Sequence, residues 1–266
     1  MTLEHIYDEV QQIFPDIGRT KILQDVNEVQ KEFCRRSQIL TSTSNETIVA
    51  DTVVYNLPSA CGALSSVIFK DSDGAILLGT DTLQYEVNQG TITFKSYYNL
   101  TITEIPSGIS TISYYYVKIP TALVEPATSG SLVSGTEYTI NKYISSDSFT
   151  NVGASSNATD VTFTSTGTTP TTWSNLSVLS ATNTYTPELD SEFHQALVDG
   201  LFKKYFPIYP SLDRVLQGGD TMKVRDFQAG REALLRWENY IGQAKKYAYL
   251  ARDKTRISTI YSDFIH

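Results

Sequence analysis

His5, His194 and His266 are the only imidazoles in the chain, and they are scattered along it, two of them near its ends. A histidine base needs a nucleophile and an orienting carboxylate within hydrogen-bond reach. His194 has an acid close by in sequence, Glu192, but a lone histidine on a helix reads better as a packed or surface side chain than as a catalyst. Cys34 and Cys61 are the only thiols. Neither has the CxxC or CxH neighbour that zinc or haem attachment uses, so both are expected to stay reduced. "DSDG", residues 71–74, resembles a fragment of a calcium loop, but the third acidic position and the closing glutamate are missing. It therefore reads as a turn between strands. Asp71 and Asp73 are the kind of carboxylates a glycosidase pairs, yet the sequence sets no pair at a working separation. "GISTISY" lacks the second glycine of a nucleophile elbow, and no GxSxG, HExxH, Walker loop or GxGxxG occurs. The expectation is a protein that is not an enzyme, with no catalytic residue, no metal ligand and no cofactor.

Two patterns near the C-terminus could still carry an interaction. Lys245, Lys246, Arg252, Lys254 and Arg256 interleave with Tyr240, Tyr247 and Tyr249, which is the composition of a surface that grips phosphates and stacks bases. The same residues also suit the polar face of a long helix, whose C-terminal dipole favours cations. After them Ile257, Ile260, Tyr261, Phe264 and Ile265 have no core of their own. Such a tail either docks on a partner or folds back on its own subunit.

The elements that would hold these residues fall into three compositional parts. Residues 1–40 carry 5 basic and 7 acidic side chains, residues 41–187 carry 4 and 11, and residues 188–266 carry 12 and 11. The total of -8 argues against a chain whose main task is holding nucleic-acid phosphates. In the first part Leu3, Ile6, Tyr7, Val10, Ile13 and Phe14 form one helical stripe behind Thr2. Pro15 and Gly18 break it. A second helix is expected from Arg19 to Arg36, burying Ile22, Leu23, Val26, Val29 and Phe33. In the last part a helix is expected over 189–206, capped by Asp190, with Phe193, Leu197, Leu201 and Tyr205 on one stripe and Ala196 and Gly200 beside it. A loop with room for a short helix follows from Pro207. A long helix then runs from Asp220 to about Ala251, on the order of 45 Å, placing Phe227, Leu234, Trp237, Ile241, Ala244 and Ala248 inward.

Between the helices, residues 47–124 are rich in β-branched and aromatic residues separated by turn signals. Asp71–Gly74 and Asn88–Gly90 read as hairpin turns, and Ile92, Phe94, Tyr114 and Tyr116 as a buried face. Residues 127–183 differ again: nearly half are Ser or Thr, and Lys142 is the only basic residue. Their regularly placed apolar residues argue against disorder. "EYTINKYI", "DVTFTST" and "LSVLSAT" alternate as strands do, with Gly153, Gly167 and Pro170 at turns. The expected class is α+β: a helical hairpin and long helices forming a bundle, an antiparallel sheet between them, and an inserted all-β module. The expected division is a core of 1–126 with 184–252, the module at 127–183, and a docking tail at 253–266.

That order of elements resembles the head-to-tail adaptor (connector) proteins of tailed bacteriophages. The resemblance rests on "VVYNLP", Val53 to Pro58, leading into the sheet. It rests equally on the helix of Leu189, Asp190, Glu192, Phe193, His194, Ala196, Leu197 and Val198, with Asp190 where the family usually has proline. Residues 138–173 resemble a small β module inserted in diverse phage virion proteins, through Tyr138, Ile140, Phe149, Asn151, Val152, Gly153, Phe163, Gly167, Pro170 and Trp173. The resemblance implies a structural virion protein, made in the host cytoplasm and placed at the head-tail interface. It implies a homo-oligomeric ring of about twelve copies below the portal protein, offering a platform to the next tail or neck protein. Genomic DNA would pass through its channel without specific binding, and no membrane would be involved. Arg252, Lys254, Arg256, Ile257, Ile260, Tyr261 and Phe264 are then the candidates for portal contact. The competing expectation is a receptor- or glycan-binding virion protein with Tyr138, Tyr143 and Trp173 as a sugar platform.

Overall fold

A computed structural model describes residues 1–76, 83–96, 105, 108–181, 184–209 and 220–262, with the backbone alone at 83, 84, 96, 220–224 and 250–262. Among them are four α-helices and three small antiparallel sheets, a mixed α and β chain as composition suggests. Contacts divide the chain into two units, one of Met1–Gln30 with Thr121–Tyr240 and the other of Lys31–Pro120 with Ile241–His266.

In the first unit, helix α1 (Leu3–Ile13) buries Leu3, Ile6, Tyr7 and Val10, the stripe that the sequence spacing sets out. Helix α2 (Arg19–Ser37) contributes buried Ile22, Val26 and Val29, while Leu23 is only partly covered. Helix α3 (His194–Tyr205) follows a short 3₁₀ turn at Ser191–Phe193, and Asp190 precedes that turn without a side-chain cap. Residues 196–202 of α3 are all buried, so the helix is enclosed rather than striped. Phe14 packs its ring against Phe202, Tyr205 and Phe206 at centroid separations of 6.2, 5.8 and 5.0 Å. Gly200 is the tightest point: a Cβ there would lie 2.4 Å from Val29 Cγ1 and 2.7 Å from Trp237 Cζ3.

The long helix α4 (Asp220–Ser262) spans 43 residues. It continues past Ala251, because no proline or glycine intervenes and Ile257, Ile260 and Tyr261 keep the three- and four-residue spacing of a helix. Of the residues expected to face inward, Trp237, Ile241, Ala244 and Ala248 are buried, and the other two are not. Phe227 is 67% and Leu234 42% exposed, while Asp226, Gly230, Ala233 and Trp237 face inward. Small residues let α4 approach closely, with Gly230 against Phe206, while Trp237 supplies the bulk on the same inner face. The short helix considered within 207–219 lies largely outside the described residues.

The same unit holds a three-stranded sheet. Strand β7 (Glu137–Lys142) lies between β8 (Thr162–Thr164) and β9 (Val178–Ala181). All three fall in the segments whose alternation reads as strand. Leu132, Ile140, Phe149, Val152, Ala154, Phe163 and Leu179 form its core. Gly153, at φ +109°, is required there, since a Cβ would stand 2.5 Å from Thr164 O. The segment begins and ends side by side: Val124 N donates to Thr184 O at 2.8 Å.

In the second unit the single expected sheet is two. Strands β1 (Thr41–Thr47), β6 (Thr111–Lys118) and β3 (Cys61–Lys70) form one, and β2 (Val54–Asn56), β5 (Thr91–Ser96) and β4 (Leu83–Asn88) the other. The chain leaves the first sheet after Ile48, whose amide bonds Ser110 O. Tyr55 then pins the turn, its hydroxyl accepting from Val49 N at 3.1 Å and lying 3.2 Å from Thr52 O. Both sheets share one core of Tyr55, Phe69, Ile92, Phe94, Ile105, Ile112, Tyr114 and Tyr116, with Phe94 and Phe69 rings 5.2 Å apart. The turn between β4 and β5 holds Gln89 at φ +43° and Gly90 at +83°, a pair of positive values that two-residue hairpins need. Lys31–Ser37 of α2 and Ile241, Ala244 and Ala248 of α4 belong to this unit, the last three buried.

Candidate functional site

The side chains with chemical capacity are used internally. His194 is 4% exposed; its Nε2 donates to Leu189 O at 2.7 Å and its Nδ1 lies 3.0 Å from the Met1 amino group. Burial pushes its pKa below the ordinary 6.5 against the opposing pull of the Leu189 carbonyl. His5 is exposed and accepts from Thr2 N at 3.3 Å, and His266 lies outside the described residues. Asp71 accepts from Asp73 N and Ala75 N, both at 2.9 Å, which makes it a turn residue. Among the described residues no group of three or more His, Cys, Asp or Glu is placed to hold a metal ion. No helix among them is long and apolar enough to cross a membrane.

Two buried carboxylates that sequence reasoning passed over fix α3 to its neighbours. Asp25 of α2, 1% exposed, accepts from Lys204 Nζ at 2.5 Å, Lys21 Nζ at 2.9 Å and Tyr205 Oη at 2.9 Å. Burial alone would raise its pKa, but the bonds from Lys204, Lys21 and Tyr205 outweigh it and hold the carboxyl below 3.8. Asp199 of α3 accepts two bonds from Arg236 of α4, at 2.9 and 2.7 Å. Lys203 Nζ stands 4.3 Å above the Trp237 ring. The signal that could have found them was a charge set inside an otherwise apolar run, as in "ALVDGLF".

The β7–β9 sheet contains a third buried acid. Asp147 Oδ1 accepts from Ser174 N at 2.9 Å and from Asn175 N and Nδ2 at 3.0 Å, and its Oδ2 accepts from Ser177 N at 3.0 Å. Against the effect of burial, these bonds from Ser177 and Asn175 bring its pKa down to about 2. The aromatics expected to offer a sugar platform have their polar atoms bonded within the sheet. Tyr138 Oη accepts from Val133 N at 3.0 Å, Tyr143 Oη donates to Asp147 O at 3.1 Å, and Trp173 Nε1 donates to Ser177 O at 2.7 Å. All three pack against the cluster as partly buried rings.

At the C-terminal end, Lys245, Lys246, Tyr247 and Tyr249 of α4 are exposed. The backbone at Arg252, Lys254, Arg256, Ile257, Ile260 and Tyr261 is helical. The side chains of these six, and Phe264 altogether, lie outside the described residues.

A family model described as SU10 adaptor protein matches residues 1–145, a little over half of the chain. No curated protein matches the chain.

The titrations have a definite sign. His194 binds its proton less readily folded than unfolded, so stability is full above 6.5 and declines as pH falls below it. Asp25 and Asp147 bind theirs less readily folded, so their contribution is present above 3.8 and is lost as pH falls through their folded values. Urea midpoints measured against pH are expected to fall in two stages, a shallow one beginning near 6.5 and a steep one below 3.8. His194→Gln should abolish the first stage only.

Proposed function

The chain belongs to the SU10 adaptor protein family, phage structural adaptors rather than enzymes, and we propose that it forms a homo-oligomeric ring at the head-to-tail junction of the virion. In this reading the ring, of about twelve copies, lies below the portal protein, extends the DNA channel and gives the next tail or neck protein its platform. Family membership over more than half of the chain is the observation that carries the proposal.

Three features support it. Helix α4, with 43 residues at about 1.5 Å each, is roughly 65 Å long, about twice the diameter of a small domain. Within the first unit it leaves Phe227, Leu234 and Leu235 exposed, a surface suited to a neighbouring helix. The net charge of -8 suits a wall past which DNA must slide, since a strongly basic lumen would hold it. Arg252, Lys254, Arg256, Ile257, Ile260, Tyr261 and Phe264 are assigned to portal contact, the apolar four as anchors. Residues 127–183 are assigned to the ring exterior as an insertion, because Val124 and Thr184 are bonded neighbours at its base.

Native mass measurement tests the ring: a closed assembly of about twelve copies is expected, and a monomer or trimer refutes it. For the tail, deletion of residues 253–266 should abolish portal binding while leaving thermal unfolding of the two units unchanged, and retained binding removes the assignment. For the insertion, joining Glu125 to Thr184 through a short glycine linker should leave a cooperatively folding remainder. Its failure to fold would show that 127–183 is part of the core.

A further inference from the structure

Two exposed apolar side chains stand out on the sheet of residues 127–183. Leu176 is 63% and Val133 64% exposed, and they are the two large apolar residues so exposed among the described residues of that segment. Neither is a loose loop tip. Leu176 has φ +69°, a left-handed conformation that branched side chains avoid and that persists only where surroundings impose it. Here the imposing group is buried Asp147, which binds the amides of Ser174, Asn175 and Ser177 on either side of the leucine. Trp173 closes the loop on Ser177 O. Val133 is held as firmly: its amide donates to Tyr138 Oη, its carbonyl accepts from Thr136 N at 3.1 Å, and Gly135 at φ +82° completes the turn.

The two turns adjoin opposite ends of β7. The Val133 turn leads into Glu137 and Tyr138, whereas the Leu176 loop leads into Val178, which pairs with Lys142. Along β7 those ends are about 17 Å apart. Unlike apolar points at opposite ends can pair reciprocally across a two-fold, which stops at a dimer, or head to tail, which propagates around a ring, and the ring reading selects the second.

Charge decides the occupant. Copies that each carry -8 repel one another wherever acidic surfaces meet. Residues 161–187 contain no charged side chain at all, and neither do residues 126–136. These two stretches, which carry Leu176 and Val133, can be brought face to face at no cost in like-charge repulsion. A glycan would instead need free aromatic faces with polar groups to spare, and those of Tyr138, Tyr143 and Trp173 are engaged within the sheet.

We infer that adjacent copies of this chain touch through these turns, Leu176 of one copy against Val133 of the next. The inference rests on the ring reading and adds to it the surface that joins neighbours. The full-length Leu176→Cys, Val133→Cys double variant, oxidised after assembly, should give a ladder of disulfide-linked species extending beyond dimers. Each single variant should stop at dimers or below. Leu176→Asn, which keeps the left-handed backbone because asparagine tolerates it, should fold normally and weaken self-association by about 10-fold or more. A wild-type ring accompanied by no ladder, or by unaltered association of Leu176→Asn, overturns this contact and leaves the ring reading standing. A wild-type chain that remains monomeric overturns both. A Leu176→Asn chain that assembles normally but loses retention on a glycan array assigns the loop to sugar and also overturns the contact.

Discussion

The absence of a side chain at Gly200 is the constraint on which the helical unit turns. Val29 of α2 and Trp237 of α4 reach α3 from separate directions, and both would collide with a methyl group at that position. Their approach encloses α3, so its polar groups lose access to water and must be satisfied from the surrounding helices. Asp199 is therefore met by Arg236, Tyr205 by Asp25, and His194 by the Leu189 carbonyl. Each of these bonds ties α3 to a different part of the chain, which makes the unit's order depend on one close contact. Overpacking at such a point displaces rigid rings rather than mobile surface groups.

The parts of this architecture that sequence reveals are those where one physical signal acts alone. In α1 and α2 the stripe, the breaker at Pro15 and Gly18, and the length all agree, and the structure follows them. The β4–β5 hairpin is legible because the turn signal Asn88–Gly90 parts two alternating runs, and Gly90 supplies one of the two positive φ angles. The strands of the 127–183 segment are legible through alternation, although composition alone suggests a linker. Where two signals compete, sequence misleads. Strand β1 is "TSTSNET", exposed along most of its length, and an edge strand without apolar alternation looks like a loop. On α4 the stripe through Trp237, Ile241, Ala244 and Ala248 is buried as its spacing suggests, but the bulky Phe227 and Leu234 are exposed while the small Gly230 and Ala233 are buried.

The buried acids illustrate why the chemically active residues were the hardest to place. Only Asp199, inside "ALVDGLF", stands out in its immediate sequence, and the roles of Asp25, Asp147 and Asp199 come from partners such as Lys204, Ser177 and Arg236, which are 30 to 179 residues away. None of the three stands alone as an unbonded charge. Each instead satisfies donors from another segment, which is the use expected of buried charge in a scaffold whose task is to keep a shape.

That conclusion gives the distribution of charge a mechanical meaning. In the proposed ring, each copy would have to adhere to its neighbours and to the rings above and below, yet leave DNA free to move. One uniformly sticky surface cannot do both, because apolar area is non-directional and basic area holds phosphate. In this chain the uncharged stretches, residues 126–136 and 161–187, are set inside the acidic segment 41–187. The basic residues gather after residue 188, the acids dominate residues 41–187, and the stretches with no charge lie on a compact sheet with a core of its own. Association by small, rigid, uncharged contacts repeated around a ring gains strength from number rather than from the area of any one contact. In that proposed arrangement the contact itself would involve no acidic side chain of residues 126–136 or 161–187, because there is none.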